Sequence, residues 1–295
     1  MLVFADPHIT DKNLKELDTV FCEIDRYLER GETLICLGDW YHNKRLTATE
    51  LEFGTSWVSY FNNTAGIFYM IRGNHPMVNF DKDESSVEYF KHIGIRVVED
   101  LILNNMYFGH KMTEKSDMFF NLNVPSLSRY DITTKELKKY RYSFLGHQHG
   151  FQIIDKNIYH IGAIIYNTFG EVKCEGRYIV KIEERPIIIQ LKIPIPMIDI
   201  MNIKDLDNTS KNTKVRFIFN NFQNFKNNIS KIQKYKKKFV EFKIKYDIEK
   251  KTEINIAIKK RNFGNLVEKW LANIKDIDIK KELEYEFKMF NNNDR

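Results

Sequence analysis

Short apolar runs, each giving way to a polar turn, set the rhythm of the first hundred residues. Residues 2–5 read as a buried strand, and residues 11–30 as a helix on which Leu14, Leu17, Phe21, Ile24 and Leu28 recur at spacings of three and four. The unit repeats: an apolar run at 34–37 precedes a helical 47–61, a second at 67–71 precedes a helical 84–92, and 95–98 closes the series. Strands alternating with helices predict a largely parallel sheet. From 101 to 193 strand-like runs dominate, at 106–108, 142–145, 151–154, 159–165, 177–181 and 187–191, with one short helix at 134–140. Two sheets packed face to face, with helices outside, accommodate both halves, so the fold class is α/β.

Pro194-Ile195-Pro196 interrupts the last of these strands, and the polar stretch 201–212 reads as a linker. Beyond it, 214–219 and 239–246 read as strands flanking a helix that gathers Phe225, Ile229, Ile232, Tyr235 and Phe239 on one face. A further strand is expected at 254–258. Leu266, Val267, Trp270, Leu271 and Ile274, and then Leu283, Phe287 and Phe290 within 280–290, have the spacing of amphipathic helices. The chain is thus expected to divide into residues 1–200 and a smaller α+β domain, 213–295. With 295 residues and 43% apolar content it can bury a sizeable core.

Charge separates the two parts. Residues 1–200 hold 23 Lys+Arg against 27 Asp+Glu, a net of −4, whereas 201–295 hold 23 against 13, a net of +10. A basic part joined to a mildly acidic one points to a polyanionic partner. Lys231, Lys234, Lys237 and Lys238 occupy the polar faces of the helix before 239 and are the candidate phosphate contacts. An AT-rich genome would enrich Lys, Asn and Ile in the same way. Cys22, Cys36 and Cys174 are widely spaced without a C-x-x-C pattern, which excludes a disulfide framework and a zinc ribbon and suits a reducing cytoplasm. No apolar stretch approaches membrane-spanning length, and no basic leader precedes Asp6, so no membrane association is expected.

The chemistry lies in the turns. Asp6-Pro7-His8, Gly38-Asp39-Trp40-Tyr41-His42, Gly73-Asn74-His75, Gly109-His110 and Gly146-His147-Gln148-His149 each follow a short apolar run. In an α/β sheet such positions converge on one edge, where ligands bind. Six of the eight histidines sit in these solvated turns, where packing explains them poorly. A carboxylate at Asp39 can bridge two metal ions. Oxygen and nitrogen ligands without thiolate point to manganese, iron or another divalent first-row ion. Two such ions about 4 Å apart bind a phosphoryl oxygen and lower the pKa of a bridging water. His75 and His42 are then left as groups able to donate protons. His160 and His92 read as structural or solvent-facing.

These five motifs in this order resemble the signature of the calcineurin-like metallophosphoesterases, and within them the SbcD/Mre-eleven nucleases in a short, phage- or bacterial-type form. Further points of likeness are His42, three residues after Asp39, the Asn167-Thr168-Phe169-Gly170-Glu171 segment, and a small domain after the catalytic one. The resemblance covers residues 1–193 and implies a two-sheet αββα sandwich followed by a capping domain. Carried over by motif, it makes Asp6, His8, Asp39 and His149 ligands of one manganese, and Asp39, Asn74, His110 and His147 ligands of the other. It further implies that His75 stabilises the transition state or protonates the leaving group, while His42 positions the phosphate. Pro76 stands where the family usually has Asp or Glu, so the partner that orients His75 comes from elsewhere or is missing. The chain to Arg295 is short for the family, so the ATPase-gripping tail that the resemblance implies is expected to be reduced at best to the helices after Leu266.

The resemblance and the basic second part together imply a manganese-dependent DNA exo/endonuclease subunit of an SbcCD-like recombination and repair complex. Attack would come from a metal-bridging hydroxide. DNA, an SbcC-like SMC-family ATPase and a second copy of the chain are the expected partners. The same ligands would serve a small-molecule or protein phosphatase of the superfamily. A third reading is a scaffold that has lost catalysis, against which the complete ligand set argues.

Overall fold

The computed structural model describes residues 1–75, 77–79, 84–115, 131–174, 176–192, 194–219, 228, 231–232 and 234–246. The expected strand at 254–258, the helices after 266, and Phe225 and Ile229 lie outside these residues. Met1–Ile248 form one compact unit that contains every sheet described below. No described helix is long and apolar enough to cross a membrane.

The first sheet has six strands. Its core is β1 (Leu2–Phe4), β2 (Thr33–Cys36), β3 (Ile67–Ile71) and β6 (Arg96–Val98), all parallel, with the hairpin β14 (Tyr178–Ile182) and β15 (Pro186–Gln190) added antiparallel beside β1. The second sheet runs β12 (Gln152–Asp155), β13 (Ile158–His160), β11 (Tyr142–Leu145), β8 (Met106–Gly109), β7 (Asp100–Leu103), and its three middle strands are parallel. Short pairs join β4 (Met77–Asn79) to β5 (Glu84–Ser85) and β9 (Met112–Thr113) to β10 (Asp131–Ile132).

Alternation along each strand builds the layers, because successive side chains leave opposite faces. Val3, Ala5, Ile35, Leu37, Tyr69 and Ile71 meet Met106, Phe108, Phe144 and Ile161 between the two sheets. Leu2, Phe4, Leu34, Cys36, Phe68 and Met70 face the other way, onto α1 (Leu14–Asp25) and α2 (Ala48–Thr64), which contribute Leu17, Phe21, Ile24, Val58 and Phe61. Tyr107, Leu145 and Ile158 cover the outside of the second sheet with Leu137 of α3 (Thr134–Leu137). The layers are therefore the expected α/β sandwich.

A third, wholly parallel sheet joins β16 (Met197–Ile200), β17 (Lys214–Phe219) and β18 (Glu241–Tyr246). Val215, Phe217, Phe219, Ile232, Tyr235 and Phe239 form its core. The stretch 201–212, expected as a linker between domains, connects β16 to β17 and carries a short helix, α4 (Ile203–Asn208), capped by Asn202, whose side chain accepts the Lys204 N–H at 3.1 Å. Only Leu206 of α4 is buried, so no periodicity marks it. The expected helix at 84–92 is instead a 3₁₀ helix, Glu88–Ile93, ended by Gly94 at φ +90°. Val87 and Phe90, three apart, are both buried, a spacing that serves either kind of helix.

Candidate metal centre

Every motif sits past the carboxyl end of a parallel strand: Asp6 and His8 after β1, Asp39 and His42 after β2, Asn74 and His75 after β3, His110 after β8, His147 and His149 after β11. Backbone hydrogen bonds stitch these turns together. His8 N–H donates to Asp39 O at 2.9 Å, Ile9 N–H to Trp40 O at 3.0 Å, and Gly146 N–H to Gly109 O at 2.9 Å. The close approach requires glycine. A Cβ on Gly73 would lie 1.9 Å from Asp39 Oδ1, and one on Gly38 would lie 2.4 Å from His110 Nδ1. Asp6, His8, Asp39 and His147 adopt φ of 51°, 50°, 44° and 76°. This left-handed backbone costs an L-residue roughly 1–2 kcal/mol, which the surrounding packing offsets.

The side chains converge in two clusters that share Asp39. In the first, His8 Nε2 and His149 Nε2 are 2.9 Å apart, with Asp39 Oδ2 3.7 Å from His8 Nε2. In the second, Asn74 Oδ1, His110 Nε2 and His147 Nδ1 lie 2.9 to 3.0 Å from one another, and Asp39 Oδ2 is 3.3 Å from His110 Nε2. Asp6 borders the second cluster, accepting the His147 N–H on Oδ2 at 2.9 Å.

Two of the imidazole rings are held from outside the clusters. His149 Nδ1–H donates to Glu171 Oε1 at 2.9 Å, so its neutral ring offers a lone pair at Nε2. His110 Nδ1–H likewise donates to Leu37 O at 2.9 Å, leaving Nε2 to face Asn74 and His147. Asp6 Oδ1 is fully buried, with His110 Nδ1 3.3 Å away. Imidazole nitrogens, carboxylate oxygens and an amide oxygen crowded into one buried site are donor types that fit divalent cations.

Without metal, the site balances its own charge. Burial pushes the Asp6 carboxyl up. Burial also opposes the charge of Asp39, but His110 and His8 beside it hold it well below the usual carboxylate range. His110, which burial alone would lower, is pushed up to about 10 by Asp39 and Asp6. Burial and the neighbouring His110 take His147 down to about 3, and burial holds His8 well below its ordinary value. In the metal-free site a protonated His110 thus compensates the buried carboxylates, while His8 and His147 are held neutral.

His42 and His75 stand at the mouth, where with His8 they bring ligand atoms within 4.8 Å of one another, close enough to hold a metal ion themselves. Their rings stack at 4.6 Å, and His42 Nδ1 is 3.3 Å from His8 Nδ1. His75 donates its backbone N–H to Asp39 Oδ1 at 2.9 Å and its Nδ1–H to the His42 carbonyl at 3.1 Å. The His42 turn is itself anchored: buried Glu50 accepts from Asn43 Nδ2 at 2.9 Å and closes a capping box with Thr47 at the start of α2. His160 is fully buried, donating Nδ1–H to Gly146 O at 3.2 Å, and burial lowers it to about 4.

The lysines lie elsewhere. Lys231, Lys234 and Lys237 are exposed beside the third sheet. Lys238 donates its Nζ to the carbonyls of Leu206 and Asp207, at the carboxyl end of α4. Two supporting residues escaped the sequence reading: Glu171, which holds His149, and Arg177, which binds Glu171 and donates to His149 O at 2.8 Å. Thr168-x-x-Glu171 is a readable capping box, and the structure has it.

The profile of the calcineurin-like phosphoesterases matches residues 1–158, more than half of the sequence and all seven expected ligands. The chain belongs to this family. Membership makes the phosphoesterase a metal-dependent hydrolase, and its clustered His and Asp side chains could hold metal ions. The matched span stops before Glu171 and Arg177. No curated protein matches the phosphoesterase. Among solved structures it is similar to the Pseudomonas putida nuclease MPE, at 18% identity and a TM-score of 0.34 over 60% of this chain and 82% of that one.

Proposed function

We propose that this phosphoesterase is a manganese-dependent DNA exo/endonuclease that works with an SbcC-like SMC-family ATPase. The supporting observation is the coexistence of clustered Asp, Asn and His side chains with exposed Lys231, Lys234 and Lys237. Asp6, His8, Asp39 and His149 would hold one ion, and Asp39, Asn74, His110 and His147 the other. When bound, the two ions supply Lewis acidity toward a phosphoryl oxygen and a nucleophilic water. Manganese suits a donor set of oxygen and imidazole nitrogen without thiolate.

The chain's own groups do the rest. Asp39 fixes the spacing of the two clusters, and its Oδ1 is kept in place by the His75 N–H. With Nδ1–H committed to the His42 carbonyl, the His75 ring is oriented so that Nε2 can give a proton to the leaving oxygen. His42, stacked on it, positions the phosphate. The lysines track the backbone of a polyanion, a term that a small phosphate ester does not use. The apolar Trp270, Leu271, Leu283, Phe287 and Phe290 are assigned, on sequence grounds, to the ATPase contact.

The test is cleavage of an end-labelled DNA duplex with added Mn²⁺, beside hydrolysis of a chromogenic phosphomonoester. Duplex cleavage that outpaces the monoester and disappears in Asp39→Ala supports the nuclease. Efficient monoester hydrolysis without duplex cleavage would move the protein to the phosphatases.

A further inference from the structure

The third sheet reaches the metal centre through the loop that carries Glu171. Along β17 the odd positions Val215, Phe217 and Phe219 face that sheet's own core. The even positions face the other way. Lys214 donates from Nζ to the Tyr166 carbonyl at 2.8 Å and pairs with Glu16 of α1 at 2.7 Å, with both residues 7% exposed. Arg216, held by two hydrogen bonds to Asp199 of β16, lies 5.4 Å from the centre of the Phe169 ring, and Lys243 of β18 lies 5.1 Å from it.

Tyr166 and Phe169 frame a short loop that carries Glu171, the partner of His149. Glu171 Oε1 accepts the Thr168 N–H at 2.9 Å together with His149 Nδ1–H, and Oε2 accepts from Arg177. Arg177, 2% exposed, sits 3.7 Å from the centre of the Tyr166 ring and donates to the His149 carbonyl. A buried ammonium bonded at once to a carboxylate and a carbonyl is a rigid link, because releasing either partner strands a charge out of water.

We propose that Lys214 is a positioning residue of the metal centre: by holding the Tyr166 carbonyl it sets the loop that places Glu171 against His149, and so couples the third sheet to the affinity of one ion. The inference rests on the two-metal reading above. It predicts that whatever displaces this sheet is felt at His149 and not at the Asn74, His110 and His147 cluster.

The experiment is calorimetric titration of the metal-free full chain with Mn²⁺, comparing wild type, Lys214→Met, Glu171→Gln and the double variant. Lys214→Met should weaken one of the two ions about 10- to 100-fold, the usual effect of losing an outer-sphere partner, and leave the other as in wild type. The double variant should lose no more than Glu171→Gln alone, since both act through the same contact. If Lys214→Met does not fold, Glu16→Gln/Lys214→Met removes both buried charges together and is read in the same way. Two ions bound as tightly as in wild type, or losses that add in the double variant, would overturn the coupling. Fewer than two ions on the wild type would instead remove the two-metal reading.

Discussion

His75 is oriented by the backbone carbonyl of His42, 3.1 Å from its Nδ1, rather than by a carboxylate. A carbonyl accepts the Nδ1–H whether or not Nε2 is protonated, so the ring keeps its place through a proton transfer. If His75 gives a proton and does not join His8 as a ligand, His75→Ala should retain two equivalents of metal and lose about 100- to 10,000-fold in rate, as a positioned acid does. Metal analysis beside single-turnover kinetics checks this, and a loss of metal would sink the assignment.

Asp39 faces His8 on one side and His110 on the other. Asp39→Ala should therefore deplete both ions, whereas His8→Ala depletes one. Elemental analysis of the two purified variants distinguishes them, and equal depletion would count against a shared carboxylate.

If Lys231, Lys234 and Lys237 contact phosphates, neutralising each should flatten the dependence of log K on log salt by about 0.9 on duplex DNA. Neutralising Lys238 should leave that slope alone, since its ammonium is engaged with the end of α4. It should lower thermal stability instead. Binding titrations across salt concentrations, with melting curves, separate the two effects.

His160 supplies a pH test on the metal-free protein. Its folded pKa, depressed by burial to about 4 against an ordinary 6.5, means that only the unfolded chain takes up this proton as pH falls from 6.5 to 4. The stability it contributes is present above 6.5 and is lost through that window, by at most about 3 kcal/mol. His160→Gln should flatten the acid limb of a denaturation profile measured from pH 7 to 4. An unchanged limb would show that other groups carry it.

What could be read from the sequence followed distance along the chain. Each ligand motif directly follows its strand, so local alternation and the Asp, Asn and His types at the turns located the centre without knowledge of the sheets. Glu171 was noted only as part of a familiar segment, because its partner His149 lies 22 residues earlier and meets it across a turn. Lys214 looked like one more lysine in a basic stretch. Its burial against Glu16 depends on three elements meeting, α1, β17 and the Tyr166 loop, which no local pattern reports. The misreadings at 84–92 and 201–212 have the opposite cause: too few apolar positions to separate a short or tight helix from its alternatives.

The left-handed backbone at Asp6, His8, Asp39 and His147 has a consequence for anyone trying to improve this protein. Glycine adopts such φ values without the penalty borne by an L side chain. At these four positions the replacement that relaxes the chain is also the one that deletes a ligand. Laboratory selection for heat resistance alone, run without metal, would thus reward the loss of the centre, and libraries should be screened for survival and turnover together.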